Sequence, residues 1–363
     1  MTEPRKLNLS QKSMLTKLLL QQFKNKVVGQ EHATQLLVDV FNKHQAGFGD
    51  ETHPAGIALF LGPTGVGKTH VVETFAEILL GTKLACIRID CAEFQHGHEI
   101  AKLTGSPAGY LGHRETKPML SQELLDKYHT TSLKLSVLLV DEIEKASDTL
   151  WSLLLGILDK ASLTCGDNSR VDFHNTLVVM TSNLGAREMV EGSIGYGAPS
   201  TPEISDAILE KKALSAAKAK FSPEFLNRIN NIVVFKNQTE EQVRQVMEME
   251  LDILKKRLEC LAIDKRFILE VSPAAKHRLL DEGYSPIYNS REMKRTIERR
   301  ITQPLARLAT SGQILAEDTV VIDDEGGESF TFWVHPTTTK KPEPEPLPPV
   351  DGIDRHYREH NFS

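Results

Sequence analysis

Residues 57–69 read Ile57-Ala58-Leu59-Phe60-Leu61-Gly62-Pro63-Thr64-Gly65-Val66-Gly67-Lys68-Thr69. An unbroken apolar run from Ile57 to Leu61 suits a strand buried on both faces. The residues from Gly62 to Thr69 then meet every fixed position of G-x-x-x-x-G-K-[ST]. Past Thr69 and His70, the apolar residues Val71, Val72, Phe75 and Ile78 share one helical face. Strand, glycine-rich turn and helix in that order make a phosphate cradle. Glycines let backbone N–H groups turn inward, and the helix N-terminus adds positive potential. Lys68 is expected to reach the β- and γ-phosphates of a nucleotide, and Thr69 to hold Mg²⁺.

Such a site needs a second half, a strand that ends in acid. Val137-Leu138-Leu139-Val140-Asp141-Glu142 supplies it. Asp141 is expected to take Mg²⁺ through its water shell. Glu142 is placed to orient and deprotonate an attacking water, which favours hydrolysis over transfer to a small acceptor. No Asn-Lys-x-Asp guanine-reading motif follows, so ATP is expected rather than GTP.

Short apolar runs recur around this pair: Cys86–Ile89, Leu177–Met180 and Ile232–Phe235. With helical or loop segments between them, they read as an α/β fold, a doubly wound parallel sheet of five strands. Upstream, residues 8–48 have helical spacing with a break at Gly29. Downstream, Thr239 and Gln242 form a capping-box pattern. Val243, Met247, Leu251, Leu254, Leu258 and Leu261 then mark one helix face. Further helices are expected near Pro273–Asp281 and Arg291–Thr310, and short strands at Val320–Ile322 and Phe330–Val334. The expected organisation is a large nucleotide-binding domain over 1–236, a smaller, mostly helical lid over 237–336, and a Pro-rich tail over 337–363 without packed structure.

Composition sets the outer bounds. The chain has 363 residues, 40% hydrophobic and 25% charged, with a formal net charge of -6. That balance is globular and does not favour nucleic acid or an anionic membrane as partner. The longest apolar stretch, near Leu150–Leu158, is about half of the ~20 residues a membrane span needs. MTEPRKLNLS at the start has no apolar signal core, so a cytoplasmic protein is expected. The four cysteines are widely spread and suit a reducing compartment. Cys86, Cys91, His96 and His98 do not have the spacing of a zinc module.

The blocks GPTGVGKT, VLLVDEIEKA, VDFHNTLVVMTSNLGA, FSPEFLNRINNIVVF and GYSPIYNSREMKR occur in that order. Together they resemble the AAA+ ATPases of the Clp class, specifically the second ATPase module of ClpA and ClpB, over about Val27–Val334. The resemblance implies a ring ATPase, a homo-hexamer, that unfolds or remodels protein substrates by threading them through a central pore. Within it, Asn183 matches the sensor that positions the lytic water. Arg228 matches the arginine finger that reaches the neighbouring subunit's γ-phosphate, and Arg291 matches the second sensor. Family members usually have Gly-Ala-Arg where this chain has Asn289-Ser290-Arg291. Val27 and Val28 match the segment that packs on adenine; helix-end core packing is the other reading. Tyr110 and Leu111, within Gly105-Ser106-Pro107-Ala108-Gly109-Tyr110-Leu111-Gly112, match the substrate-gripping pore loop. A surface turn is its plainer reading, and His113-Arg114-Glu115-Thr116 departs from the family's usual run. Ile194-Gly195-Tyr196 stands where protease-coupled relatives carry a peptidase-docking tripeptide, but with Tyr in the third place.

Competing readings therefore stand beside the remodelling ring: a regulatory subunit of a Clp-type peptidase, and a nucleotide-switched assembly or DNA-associated AAA+ protein. The length leaves room for one ATPase module and little else. A single-tier ring subunit, or reliance on a separate adaptor for substrate choice, is the expectation that follows.

Overall fold

The computed structural model describes residue 8 and residues 11–106, 118–185 and 202–336, with backbone only for 202–207. The chain divides into two compact units. The first comprises Met1–Met249 and Glu282–Arg295, the second Glu250–Asp281 and Thr296–Ser363.

The first unit opens with helices α1 (Met14–Lys26) and α2 (Glu31–Gln45). The break between them falls at Gly29, whose φ of 73° suits a residue without a Cβ. Five strands follow: β1 (Gly56–Leu61), β2 (Cys86–Asp90), β3 (Ser136–Asp141), β6 (Thr176–Ser182) and β7 (Asn231–Val234). A small antiparallel hairpin, β4 (Ser162–Thr164) with β5 (Arg170–Asp172), interrupts them. The five pair in parallel in the order β2-β3-β6-β1-β7. Each is one of the expected strands, to within a residue or two. Phe235 lies past the end of β7, yet its N–H still donates to the Leu61 carbonyl at 2.7 Å.

Period-two alternation divides β1 between two cores. Ile57, Leu59 and Leu61 face one cluster, with Leu138, Val140, Leu154 and Phe225. Ala58 and Phe60 face the other, with Phe23, Phe41, Phe75 and Phe235. Every residue of β1, β3 and β6 is buried, as parallel strands covered on both faces must be. Helix α3 (Lys68–Leu80) lies against the second cluster through Val71, Val72 and Phe75.

In the order β3-β6-β1 the C-terminal ends of the strands lie side by side. The Gly62 N–H donates to the Ser182 carbonyl at 3.2 Å. This edge brings the loop after β1, the acids after β3 and Asn183 after β6 together, although they are far apart in sequence.

Thr239 and Gln242 form the reciprocal capping box, at 3.0 and 3.3 Å, that starts the helix Glu240–Glu259. Val243, Met247, Leu251 and Leu254 are buried on it, but Leu261 lies beyond the helix end and is 41% exposed, which corrects the expected apolar face. The second unit has a sheet in the order β10-β9-β8. Strands β9 (Thr319–Asp323) and β10 (Thr331–His335) match the two expected there. Strand β8 (Ile268–Val271) was not expected, since only Leu269 in it is buried and four residues carry little alternation. The expected helix from Arg291 to Thr310 is helical throughout but passes through a π turn at Glu298–Thr302. Pro304 lacks an N–H and its ring crowds the carbonyl four residues back, so a wider turn before it relieves the clash.

Phe60 is fully buried and packs on Phe235 with ring centroids 5.0 Å apart. Phe60→Ala is expected to cost about 3–5 kcal/mol, read as a lowered urea midpoint with the slope unchanged.

Candidate nucleotide site

The loop from Gly62 to Gly67 depends on its glycines for conformation and for space. Gly62, Gly65 and Gly67 have φ of 144°, 79° and 98°, values that favour glycine. A Cβ on Gly65 would lie 2.1 Å from the Tyr288 carbonyl oxygen, whereas one on Gly67 would meet nothing within 4 Å. The loop is therefore packed hard on one side and open at the helix N-terminus.

Lys68, the first residue of α3, is 7% exposed. Its Nζ donates to the carbonyls of Gly62 and Pro63, both at 2.7 Å, and to Asn183 Oδ1 at 2.9 Å. Burial pulls its pKa down to about 8; the charges of Glu144, Asp141 and Glu142 oppose that shift, and Arg291 adds to it. Arg291 is exposed in the first turn of the helix Ser290–Ile297, near enough for its charge to act on Lys68.

Asp141 is the meeting point of three donors. Thr69 Oγ1 donates to it at 3.3 Å, Arg88 Nη2 at 2.6 Å, and Thr181 Oγ1 makes a short bond to Oδ1. Glu142 follows in the left-handed region at φ 56°. Its N–H donates to Thr181 Oγ1 at 3.2 Å, and its carboxylate accepts from Asn183 Nδ2 at 3.2 Å and pairs with Lys145 at 2.5 Å. The bond to Glu142 holds the Lys145 pKa up. Glu144 accepts from the Asn183 backbone N–H at 3.1 Å, and its other oxygen is buried without a hydrogen-bond partner among the described residues.

Lys68, Thr69, Asp141, Glu142 and Asn183 are thus brought to one place. Residue types and geometry fit a magnesium-bound nucleoside triphosphate: a buried ammonium, a hydroxyl beside a carboxylate, and an outward helix N-terminus. His70 Nε2–H donates to the Lys26 carbonyl at 3.0 Å, and burial lowers its pKa. That contact ties α3 to the segment of Val27 and Val28, both half-buried, with Val27 packed on the second core.

Arg228 is placed elsewhere. It caps the short helix Pro223–Asn227, which is fixed by Phe225 against Trp151 (centroids 4.5 Å apart) and Phe221 (5.6 Å). Both arms of its guanidinium engage Asp159, at 3.1 Å through Nη2, and Glu224 lies 3.7 Å away. Among the described residues no hydrogen bond or ion pair joins its guanidinium to the phosphate loop. Tyr110, Leu111 and Ile194-Gly195-Tyr196 lie outside the described residues. Sequence reasoning missed Arg88, Thr181 and Glu144. The acid of Glu144 stands two places after Glu142, but nothing local signals its bond to Asn183.

Residues 53–232 match the AAA domain (Cdc48 subfamily), and residues 239–322 the C-terminal, D2-small domain of ClpB protein. The chaperone protein ClpB of Bdellovibrio bacteriovorus is 35% identical over 309 residues, 85% of this chain and 34% of that protein. A probable chaperone protein ClpB 1 of Chlorobaculum tepidum is 36% identical over 82% of this chain and 65% of its own length. The ATP-dependent Clp protease ATP-binding subunit ClpC of Staphylococcus saprophyticus is 35% identical over 84% of this chain and 36% of its own. A closed-state cryo-electron microscopy reconstruction of Hsp104 with ATPγS and FITC casein superposes with a TM-score of 0.73 and 28% identity, covering 88% of this chain and 51% of that one. The chain belongs to the AAA+ ATPases of the Clp class. It spans about a third of the length of most of the curated relatives it matches. Among the described residues no helix is long and apolar enough to cross a membrane.

The Lys68 pKa gives the site a pH signature. An ammonium binds phosphate and a neutral amine does not, and the folded protein loses this proton at about 8 rather than at the ordinary 10.5. Nucleotide affinity is expected to be level below about pH 8 and to fall by about tenfold per unit above it, measured by calorimetry from pH 7 to 9.5. A Lys68→Ala variant should bind weakly with no such fall. A level wild-type profile would remove Lys68 from phosphate binding.

Proposed function

We propose that this chain is an ATP-hydrolysing subunit of a ring that unfolds or remodels protein. The observation that carries the proposal is the convergence of Lys68, Thr69, Asp141, Glu142 and Asn183 on one edge of an AAA+ sheet. The relatives named as ClpB chaperones support it, as does the Hsp104 reconstruction, whose description includes ATPγS and casein.

ATP supplies the phosphoryl group to be released, and Mg²⁺, held by Thr69 and by Asp141 through water, would neutralise charge on its phosphates. The roles of the protein follow from position. Lys68 and the inward N–H groups of Gly65–Thr69 hold the phosphate chain. Arg88 and Thr181 hold the Asp141 carboxylate in place beside Thr69. Glu142 takes the proton of the attacking water, and Asn183, which reaches both Lys68 and Glu142, sets the distance between the base and the phosphate-binding charge. Arg291 adds positive charge beside Lys68 from its own subunit. Val27 and Val28 form an apolar wall for the base. Arg228, fixed on the aromatic cluster, serves the neighbouring subunit's nucleotide in a homo-hexamer. Tyr110 and Leu111 grip the substrate.

Glu142→Gln is expected to keep nucleotide binding while hydrolysis falls by about 100-fold or more, with the oligomer stabilised in ATP on a sizing column. Hydrolysis at the wild-type rate would overturn the assignment of the base. Tyr110→Ala is expected to leave ATP hydrolysis intact and to abolish unfolding of a tagged substrate. Undiminished unfolding would remove the pore loop from the proposal.

A further inference from the structure

A phosphate cradle turns its N–H groups to one side, so its carbonyls point to the other. Turned toward the protein and at least partly buried, each gains from a donor. In this chain each carbonyl has one. Lys68 Nζ serves Gly62 and Pro63, and Gln30 Nε2 serves Val66 at 3.3 Å. The Val71 N–H of α3 serves Gly67 at 2.9 Å. The remaining two are held from far along the sequence. Asn289 Nδ2 donates to the Thr64 carbonyl at 3.4 Å, and Ser290 Oγ to the Gly65 carbonyl at 2.6 Å.

The two donors are themselves built in. Asn289 is fully buried. Its Oδ1 accepts from the Gln238 N–H at 2.9 Å, and its Nδ2 also reaches Asn237 Oδ1 at 3.3 Å. The Ser290 N–H donates to Gln238 Oε1 at 3.0 Å. Asn289 has φ 49°, a conformation that asparagine tolerates better than most residues with a side chain. The Tyr288 carbonyl closes on Gly65 and also accepts the Arg291 N–H at 3.2 Å. The Gly-Ala that the sequence resemblance leads one to expect here would supply neither side-chain donor.

We propose that Asn289 and Ser290 are positioning residues that latch the phosphate loop. They hold the Thr64 and Gly65 carbonyls away from the nucleotide before it binds, and they anchor the turn from which Arg291 projects. The consequence is a preorganised loop that releases nucleotide slowly. This inference rests on the nucleotide-binding reading of the loop.

The test uses the full chain, with two measurements. The first is hydrogen exchange of the amides of residues 62–67 in nucleotide-free protein. The second is dissociation of a fluorescent ADP analogue in stopped flow. Ser290→Ala is expected to speed loop exchange and nucleotide release by about three- to tenfold, the loss of one hydrogen bond. Exchange in β3 should be unchanged. Ser290→Thr keeps the hydroxyl and should restore wild-type behaviour. Asn289→Gly keeps the left-handed backbone, removes the amide and should act in the same direction. In steady state the KM for ATP should rise with kcat little changed. Unchanged exchange and release in Ser290→Ala would overturn the latch, whatever becomes of Asn289→Gly. If wild-type protein binds no nucleotide, the functional reading fails, and the exchange measurement still decides whether the latch exists.

Discussion

A lysine ammonium held away from water is the constraint around which the first unit is arranged. Lys68 is buried, so its charge must be solvated by the protein itself. Two carbonyls of its own loop do part of this, and the Asn183 oxygen does the rest. The carboxylates of Glu144, Asp141 and Glu142 supply the surrounding negative potential. Those groups come from the C-terminal ends of three strands, so the charge is stable only if β1, β3 and β6 keep their order and register. The pairing of Gly56–Leu61 with Leu177–Ser182 is what sets Asn183 opposite the loop. Site and sheet are in this sense one structure.

Much of this could be read in advance, for physical reasons. Parallel strands covered on both faces must be apolar without interruption, so Ile57–Leu61, Val137–Val140 and Leu177–Met180 stand out in any window. The phosphate loop is legible because its glycines, lysine and threonine are close in sequence and each has a steric or chemical necessity. Arg88, Thr181 and Glu144 were not legible. Their partners are contributed by other strands, and a lone arginine or threonine in a strand looks like any other solvent-facing residue. Strand β8 was missed because four residues with one buried side chain give no period. The π turn was missed because the effect of Pro304 is felt several residues upstream of it.

Asn289 and Ser290 fall between these cases. The sequence marks them as a departure from an expected Gly-Ala, which alone suggests only a weakened turn. The structure gives the departure a different meaning. Both side chains turn onto the phosphate loop, and the polar residues replace backbone freedom with hydrogen bonds.

Glu142 has a further implication. A glutamate with φ 56° and ψ 47° holds a conformation that glycine adopts without penalty, at a cost of about 1 kcal/mol or more. The Thr181 hydroxyl and the Lys145 N–H, which donates to the Glu142 carbonyl at 2.9 Å, keep it there. On stability alone glycine would fit this position better, and the proposed role of Glu142 as base is what a glycine could not fill. Under that proposed role, the change that would relieve the backbone and the change that would remove the base are one and the same, Glu142→Gly.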